Sequence, residues 1–377
     1  MSCRNYPIGT AATTAGLRFF PSFPVASTTS IMASLVKSTE VPLEKLKWVL
    51  EPSATEANTF YINPKAGGMV LVQIAYSTMS WSPSVQVSAA YHGADGSKKR
   101  HTASLSGSSF KPAPEGISVT CENMSVQFDA SKNSYHVTLN SAPAMVIDFT
   151  FEAVDGFCQV NEGKVPFNST DISVGYVAAQ FIPKGRVTGH VVVDGKLYDI
   201  EGTGLYVKAL QSKPQCAARW SFANFQTEKD ALLMYQYELC PGYGYDFDAR
   251  SEGALVLDNK IVAVTLNNFA TLLNKSYDSF SGYEIPSEVS YRWEGEAKDG
   301  RPVKIEMKVS LTHLLDKIDL LSELPFFVRK FIQTCITAPF VYQWFEDASA
   351  SVTIGEETHI LKGKLFHENA FLTALED

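Results

Sequence analysis

This 377-residue chain is short of several things, and each shortage removes a class of function. No run of 18 apolar residues occurs, so no helical membrane span is expected. Basic clusters are scarce: the net charge is -8, and Lys98-Lys99-Arg100 is the single basic triplet. Nucleic acid is therefore excluded as the main partner, because phosphate binding needs concentrated Lys and Arg. The triplet follows the Asp95-Gly96 turn signal and reads as a solvated hairpin tip. Six cysteines, at 3, 121, 158, 216, 240 and 335, show no CxxC spacing, and free buried thiols are expected. The seven histidines form no HExxH; the nearest approach to a pair, His359 and His367, lies in strand-like text and predicts no metal site. GxSxG is absent, and Gly202-x-Gly lacks the rest of a dinucleotide fingerprint. No catalytic residue and no cofactor is expected.

What is present is strand text. Val187 to Val193 and Leu197 to Ile200 flank Asp194-Gly195, a dipeptide suited to a tight hairpin. Gly202 and Gly204 predict a bend before a run from Tyr206 to Leu210. Further runs at Met69 to Tyr76, Val85 to Tyr91, Ser125 to Asp129, Tyr135 to Leu139 and Val146 to Ala153 are separated by turn signals. Val303, Ile305, Met307 and Val309 alternate with Lys304, Glu306 and Lys308, as in a strand with one wet face. Short strands at this spacing indicate a sandwich or barrel. Aromatic residues reach 12%, which fits either packed sheets or cavities for large apolar ligands.

Helical text is limited. Leu43, Leu46 and Leu50 recur behind Pro42, predicting a short amphipathic helix. Thr312 to Thr334 predicts a second helix, with Leu314, Leu315, Ile318, Leu321 and Leu324 on one face and a break at Pro325. Such an apolar helix suits packing on a barrel, a lid or a membrane-docking surface. Residues 1–41 are Ser/Thr-rich, carry Arg4, Arg18 and Lys37, and have no acid before Glu40. They read as a disordered or targeting segment.

The two halves overlay weakly. Gly68 to Tyr76 matches Ala231 to Leu239, pairing Gln73 with Gln236. Gly202 to Tyr206 matches Gly363 to His367, and Gln180-Phe181 matches Trp344-Phe345. Together these predict two domains of similar plan, 42–211 and 212–377.

Ala209-Leu210-Gln211, Lys213-Pro214, Ala218-Arg219-Trp220, Phe225-Gln226 and Pro241-Gly242-Tyr243-Gly244 follow one another across that junction. With Trp48, Thr59-Phe60-Tyr61 and Tyr342-Gln343-Trp344-Phe345, this text resembles the fungal survival-factor family over roughly residues 43–377. The resemblance implies an all-β fold of two tandem lipocalin-like (calycin) antiparallel barrels, here with a short N-terminal helix and a helix inserted in the second domain. It also implies a non-enzymatic carrier of ceramide or a similar lipid between endoplasmic reticulum and Golgi, linked to oxidative-stress survival. The implied location is the cytoplasm with peripheral contact to those membranes, and the nucleus as a further site. The family begins with an amphipathic membrane-binding helix. This N-terminus is interrupted by Pro7, Pro21 and Pro24, so Ile31, Leu35 and Val36 are the nearest membrane-contact candidates.

A barrel of lipocalin size can enclose one apolar ligand, and each methylene taken from water contributes about 0.8 kcal/mol. The polar end of such a ligand must be hydrogen-bonded. Tyr206, Arg219, Trp220, Tyr235 and Tyr237 are the candidate lipid-binding residues. Arg219 and Trp220 are equally readable as a cation–π plug at a barrel base. Two rivals stay open: an enzyme acting on an isoprenoid or other lipid, favoured if one barrel holds clustered buried carboxylates, and an interaction module with filled barrels.

Overall fold

A computed structural model of the chain describes residues 37–372 apart from 80, 169–170, 241–248 and 321–338. Alternating side chains build two antiparallel sheets. The first contains β1 (Ala54–Pro64), β2 (Gly68–Ser77), β3 (Ser84–Gly93), β4 (Lys98–Ser106), β5 (Met124–Asp129), β6 (Ser134–Ser141), β7 (Met145–Ala153), β8 (Tyr176–Val193) and β9 (Gly202–Ser212). Their hydrogen-bonding order is β4-β3-β2-β1-β9-β8-β7-β6-β5, extended by the short strands Val119–Cys121 and Lys111–Pro112. The second contains β10 (Ala217–Gln226), β11 (Ala231–Leu239), β12 (Ala249–Leu257), β13 (Lys260–Thr265), β14 (Asn267–Asp278), β15 (Tyr283–Glu296), β16 (Pro302–Ser310), β17 (Leu314–Asp319), β18 (Phe340–Ile354) and β19 (Glu357–Phe371). Its order is β13-β12-β11-β10-β19-β18-β16-β15-β14, with β17 on β18. The same winding is used twice.

Closure differs between them. Ala263 of β13 bridges Ala297, just beyond β15, and the Lys298 N–H donates to the Val262 carbonyl at 2.9 Å, so β13 at one edge meets the region of β15 near the other. In the first, β4 meets β6 through side chains, with Ser141 Oγ 3.2 Å from His101 Nδ1, so it is a half-closed barrel. Asp194-Gly195 and Asp258-Asn259 both take the positive φ angles of a tight hairpin. On β16 the predicted alternation holds, Val303, Ile305, Met307 and Val309 buried and their neighbours exposed. β11 is buried along nearly its whole length, because one face looks into its barrel and the other onto the first sheet.

Several expectations change. Gly202 and Gly204 do not bend the chain; they open β9, and a Cβ at Gly202 would lie 2.1 Å from the Asn63 carbonyl. The N-terminal helix is a single 3-10 turn, Leu43–Leu46, from which Leu46 is buried. The start of the second helix is strand: Leu314–Asp319 pairs with Phe340–Trp344, because an open edge of β18 satisfies its backbone in a way that helical periodicity cannot reveal. The apolar run beyond it, including Phe326 and Phe331, lies outside the described residues, as do Ile31, Leu35, Val36 and Pro241 to Gly244. Among the described residues the longest helical segment has four residues, and no helix is long and apolar enough to cross a membrane. Lys98-Lys99-Arg100 is not a free tip. Lys98 and Arg100 of β4 each lie 3.0 Å from Asp316 of β17, tying one sheet to the other.

The repeat is real in topology, but two of the three sequence overlays slip. Tyr206 and His367 do occupy equivalent rungs, both pointing into their barrels. From them, Phe60 corresponds to Ala223, Val72 to Met234 and Ile182 to Trp344. Gln73 therefore faces outward, whereas Gln236 has the inward phase of β11. A one-residue slip exchanges faces, which short sequence matches cannot detect.

Candidate functional site between the barrels

Both barrel interiors are occupied by side chains. In the first, Phe60, Phe149, Phe151, Tyr135 and Tyr206 form a ring cluster, with Tyr135 stacked 4.5 Å from Tyr206. The Tyr206 hydroxyl donates to Asn58 Oδ1 at 3.1 Å. Lys208 pairs with Glu56, both buried, and lies 4.9 Å above the Trp48 ring. In the second, His367 stacks on Trp344 and bonds Tyr291, while its Nε2 reaches Asn369 Oδ1 at 2.8 Å. Asn369 in turn donates to Ser221 Oγ at 2.8 Å. Burial pushes the His367 imidazole down to about 4. This relay is satisfied at each link, which is the signature of a structural polar core.

The seam between the barrels is different. The outer faces of β1, β2 and β9 meet those of β10, β11, β12 and β19 around Tyr61, Met69, Leu205, Phe222, Leu233 and Phe366. The Tyr61 ring lies 5.0 Å from Phe222 and 5.3 Å from Phe366. Register places Gln343, Glu368, Phe222, Tyr235 and Glu252 in one row across five strands of the second sheet. Trp220, Tyr237 and Arg250 form the next row.

Two carboxyls are buried in that first row. Glu368 accepts from Trp220 Nε1 at 2.9 Å and from Gln343 Nε2 at 2.7 Å. Burial still raises it, against the pull of those two hydrogen bonds. Glu252 is equally buried, yet among the described residues neither of its oxygens has a hydrogen-bond partner, and neither does the Tyr237 hydroxyl. Burial pushes the Glu252 carboxyl up to about 8, so it is largely protonated at neutral pH. Burial, then the Glu252 charge, holds the Tyr235 and Tyr237 hydroxyls above their usual range.

At another point along the seam a cleft of about 790 Å³ opens between the barrels. Asn63 and Thr203 contribute from the first barrel, and Gln226, Ala348, Ser349 and Lys364 from the second. Asn63 shares the strand face of Tyr61, so the aromatic layer begins directly behind the cleft.

Of the sequence candidates, Trp220, Tyr235 and Tyr237 come together in the seam. Tyr206 stands apart inside the first barrel. Arg219 also stands apart: neighbours on a strand face opposite ways, and its guanidinium engages Glu238 at 2.7 Å beside a shallow 220 Å³ depression. Arg219 and Trp220 do not form a cation–π pair, because as strand neighbours they face opposite ways; among the described residues Lys208 lies over the Trp48 ring in the first barrel. Glu252, Glu368 and Asn63 were missed. The available signal was a polar residue at the buried phase of a strand apolar on both faces. Among the described residues no group of three His, Cys, Asp or Glu could hold a metal ion, and the four cysteines there are free. His359 is exposed and His367 buried, far apart on β19.

Comparisons with known proteins agree with this architecture. A putative AttH from Nitrosomonas europaea superposes with a TM-score of 0.57 at 12% identity, covering 88% of this chain and 95% of that one. CghA bound to Sch210972 gives 0.58 at 11% identity, covering 85% and 89%. Kievitone hydratase from Nectria haematococca gives 0.53 at 11% identity, with the same coverages. These likenesses show the tandem lipocalin-like fold. By sequence, the chain is 29% identical to the ceramide-binding protein svf1 of Emericella nidulans, over 89% of this chain and 90% of the relative. It is 27% identical to the ceramide-binding protein svf1 of Schizosaccharomyces pombe, over 88% and 89%. The model of the Svf1 family matches residues 7–373, and the chain belongs to the Svf1 family.

Proposed function

We propose that this protein binds ceramide, or a closely similar neutral lipid, as cargo and leaves it chemically unchanged. The observation that carries the reading is the seam. An aromatic layer in which Tyr61 packs on Phe222 and Phe366 adjoins buried polar groups, Glu252 and Tyr237, that have no hydrogen-bond partner among the described residues. An amphiphile with apolar chains and an uncharged hydrogen-bonding head complements such a surface, since unpaired buried polar groups cost about 1–3 kcal/mol each. The names of the relatives support ceramide as that amphiphile. The carrier would move lipid between endoplasmic reticulum and Golgi, touching membranes peripherally and supporting survival of oxidative stress. Exposed Trp81, Tyr277 and Phe280 supply side chains suited to a membrane interface.

A second reading has two observations in its favour. Glu252 is a carboxylic acid at neutral pH, poised to donate a proton, and a hydratase shares the fold. The experiment that separates the two is mass spectrometry of lipids co-purifying from a sphingolipid-producing host, alongside a variant that fills the seam, Ala254→Phe. Intact ceramide, present in the native protein and lost in the variant, fits a carrier. Ceramide returned with altered mass after incubation fits an enzyme, and no lipid in either sample sinks the carrier.

A further inference from the structure

The cleft between the barrels has a pseudo-twofold character. Asn63 and Thr203 of the first barrel correspond by register to Gln226 and Lys364 of the second, and all four line it. The two amides meet different fates. Gln226 donates from Nε2 to the Pro183 carbonyl at 3.0 Å and to Asn224 Oδ1 at 2.8 Å. Its Oε1 accepts from Lys184 Nζ at 3.3 Å, and that ammonium also donates to the Thr227 and Asp230 carbonyls. Lys184 belongs to β8 and reaches across from the other barrel to fill the slot. No side chain does this for Asn63. It is buried, both Oδ1 and Nδ2 lack partners among the described residues, and Ala348 and Ser349 also line the cleft.

An amide with one acceptor and one donor unpaired, beside an open cleft, is complementary to another amide. We infer that Asn63 recognises the amide of the bound lipid: Oδ1 accepts the lipid N–H, and Nδ2 donates to the lipid carbonyl. The inference rests on the ceramide reading above and deepens it. Thr203, directly opposite Asn63 on β9, is placed to meet a neighbouring hydroxyl. Both amide atoms are buried as placed, so recognition of the lipid requires the Asn63 side chain to turn toward the cleft that it lines. The chemistry separates ceramide from a diacylglycerol of equal chain length, whose esters accept hydrogen bonds and donate none.

The test uses the full chain and uptake from vesicles carrying ceramide, N-methylated ceramide or chain-matched diacylglycerol. The native protein is expected to take up ceramide roughly tenfold better than either analogue, the scale of one lost hydrogen bond. Asn63→Leu removes both polar atoms at similar volume and is expected to fold. In that variant the preference for ceramide disappears: ceramide loses both hydrogen bonds, and the other two fall less because they lose only the bond from Nδ2 to their carbonyl. Equal ceramide uptake by both proteins overturns the inference, as does a loss of equal size for all three lipids. If the variant is unstable, the native protein alone decides, because failure to distinguish ceramide from its N-methyl analogue is also fatal. Native protein that takes up ceramide without discrimination leaves the carrier reading standing. Native protein that takes up none of the three overturns that reading, and the Asn63 assignment with it.

Discussion

The two barrels share one winding and differ in what they bury. At the rung held by Tyr206 in the first, the second has His367; at the rung of Lys208 and Asn58 it has Asn369 and Ser221. The first barrel thus keeps an ion pair, Lys208 with Glu56, and the second a neutral relay. Outside, Ser88 of the first corresponds to Glu252 of the second, through Gln73 and Tyr235. The lesson is that winding constrains which way a residue points and leaves its chemistry free. Both interiors are filled with side chains, and among the unsatisfied buried groups Glu252, Tyr237 and Asn63 lie on the faces that meet.

Four substitutions sharpen or break this contrast. The largest effect is expected from Glu56→Ala, which strands the Lys208 ammonium and frees the Val49 and Leu50 N–H groups that Glu56 accepts. Urea denaturation should show a loss of about 3–5 kcal/mol. A loss below about 1 kcal/mol would mean that the first barrel does not depend on its ion pair.

Glu252→Gln should act in the opposite direction. The folded-state carboxyl is raised to about 8 by burial, above its value of 4.5 in the unfolded chain. The folded protein therefore holds a proton that the unfolded chain releases. The native protein has its full stability below about pH 4.5 and loses it as pH rises toward 8. Relative to native, the Gln variant should gain up to roughly 3–4 kcal/mol by pH 8 and little at pH 4.5. Parallel stability-versus-pH curves for the two proteins would show that Glu252 has a partner after all.

His367→Leu breaks the relay of the second barrel and should cost about 2–3 kcal/mol near neutral pH. Its imidazole is depressed by burial to about 4, so the native protein loses stability as pH falls from 6.5 toward 4. The difference from the variant should shrink over that window when followed by thermal unfolding. The smallest effect belongs to the equivalent rung of the first barrel. Tyr206→Phe removes one hydrogen bond to Asn58 and should cost about 1 kcal/mol. If it costs more than His367→Leu, the contrast between the two interiors is reversed.

Much of the architecture was legible in local sequence. The alternation of Val303 to Val309 and the turn dipeptide Asp194-Gly195 depend on neighbours alone, and both appear in the structure as expected. Leu314–Asp319 was misread because spaced leucines suit helix and strand alike until a partner edge is known. The grouping of Trp220, Tyr235 and Tyr237 could be anticipated from their shared text, but their setting could not.

By itself the chain determined that it would be mostly strands and where several of them would turn, because period-two burial and positive-φ turns are local properties. Tertiary structure alone decided that Glu252, Glu368 and Asn63 would be buried. Their burial depends on the outer face of one barrel meeting that of the other. The residues concerned lie far apart in the chain, and no local pattern records which of two strand faces a distant sheet will cover.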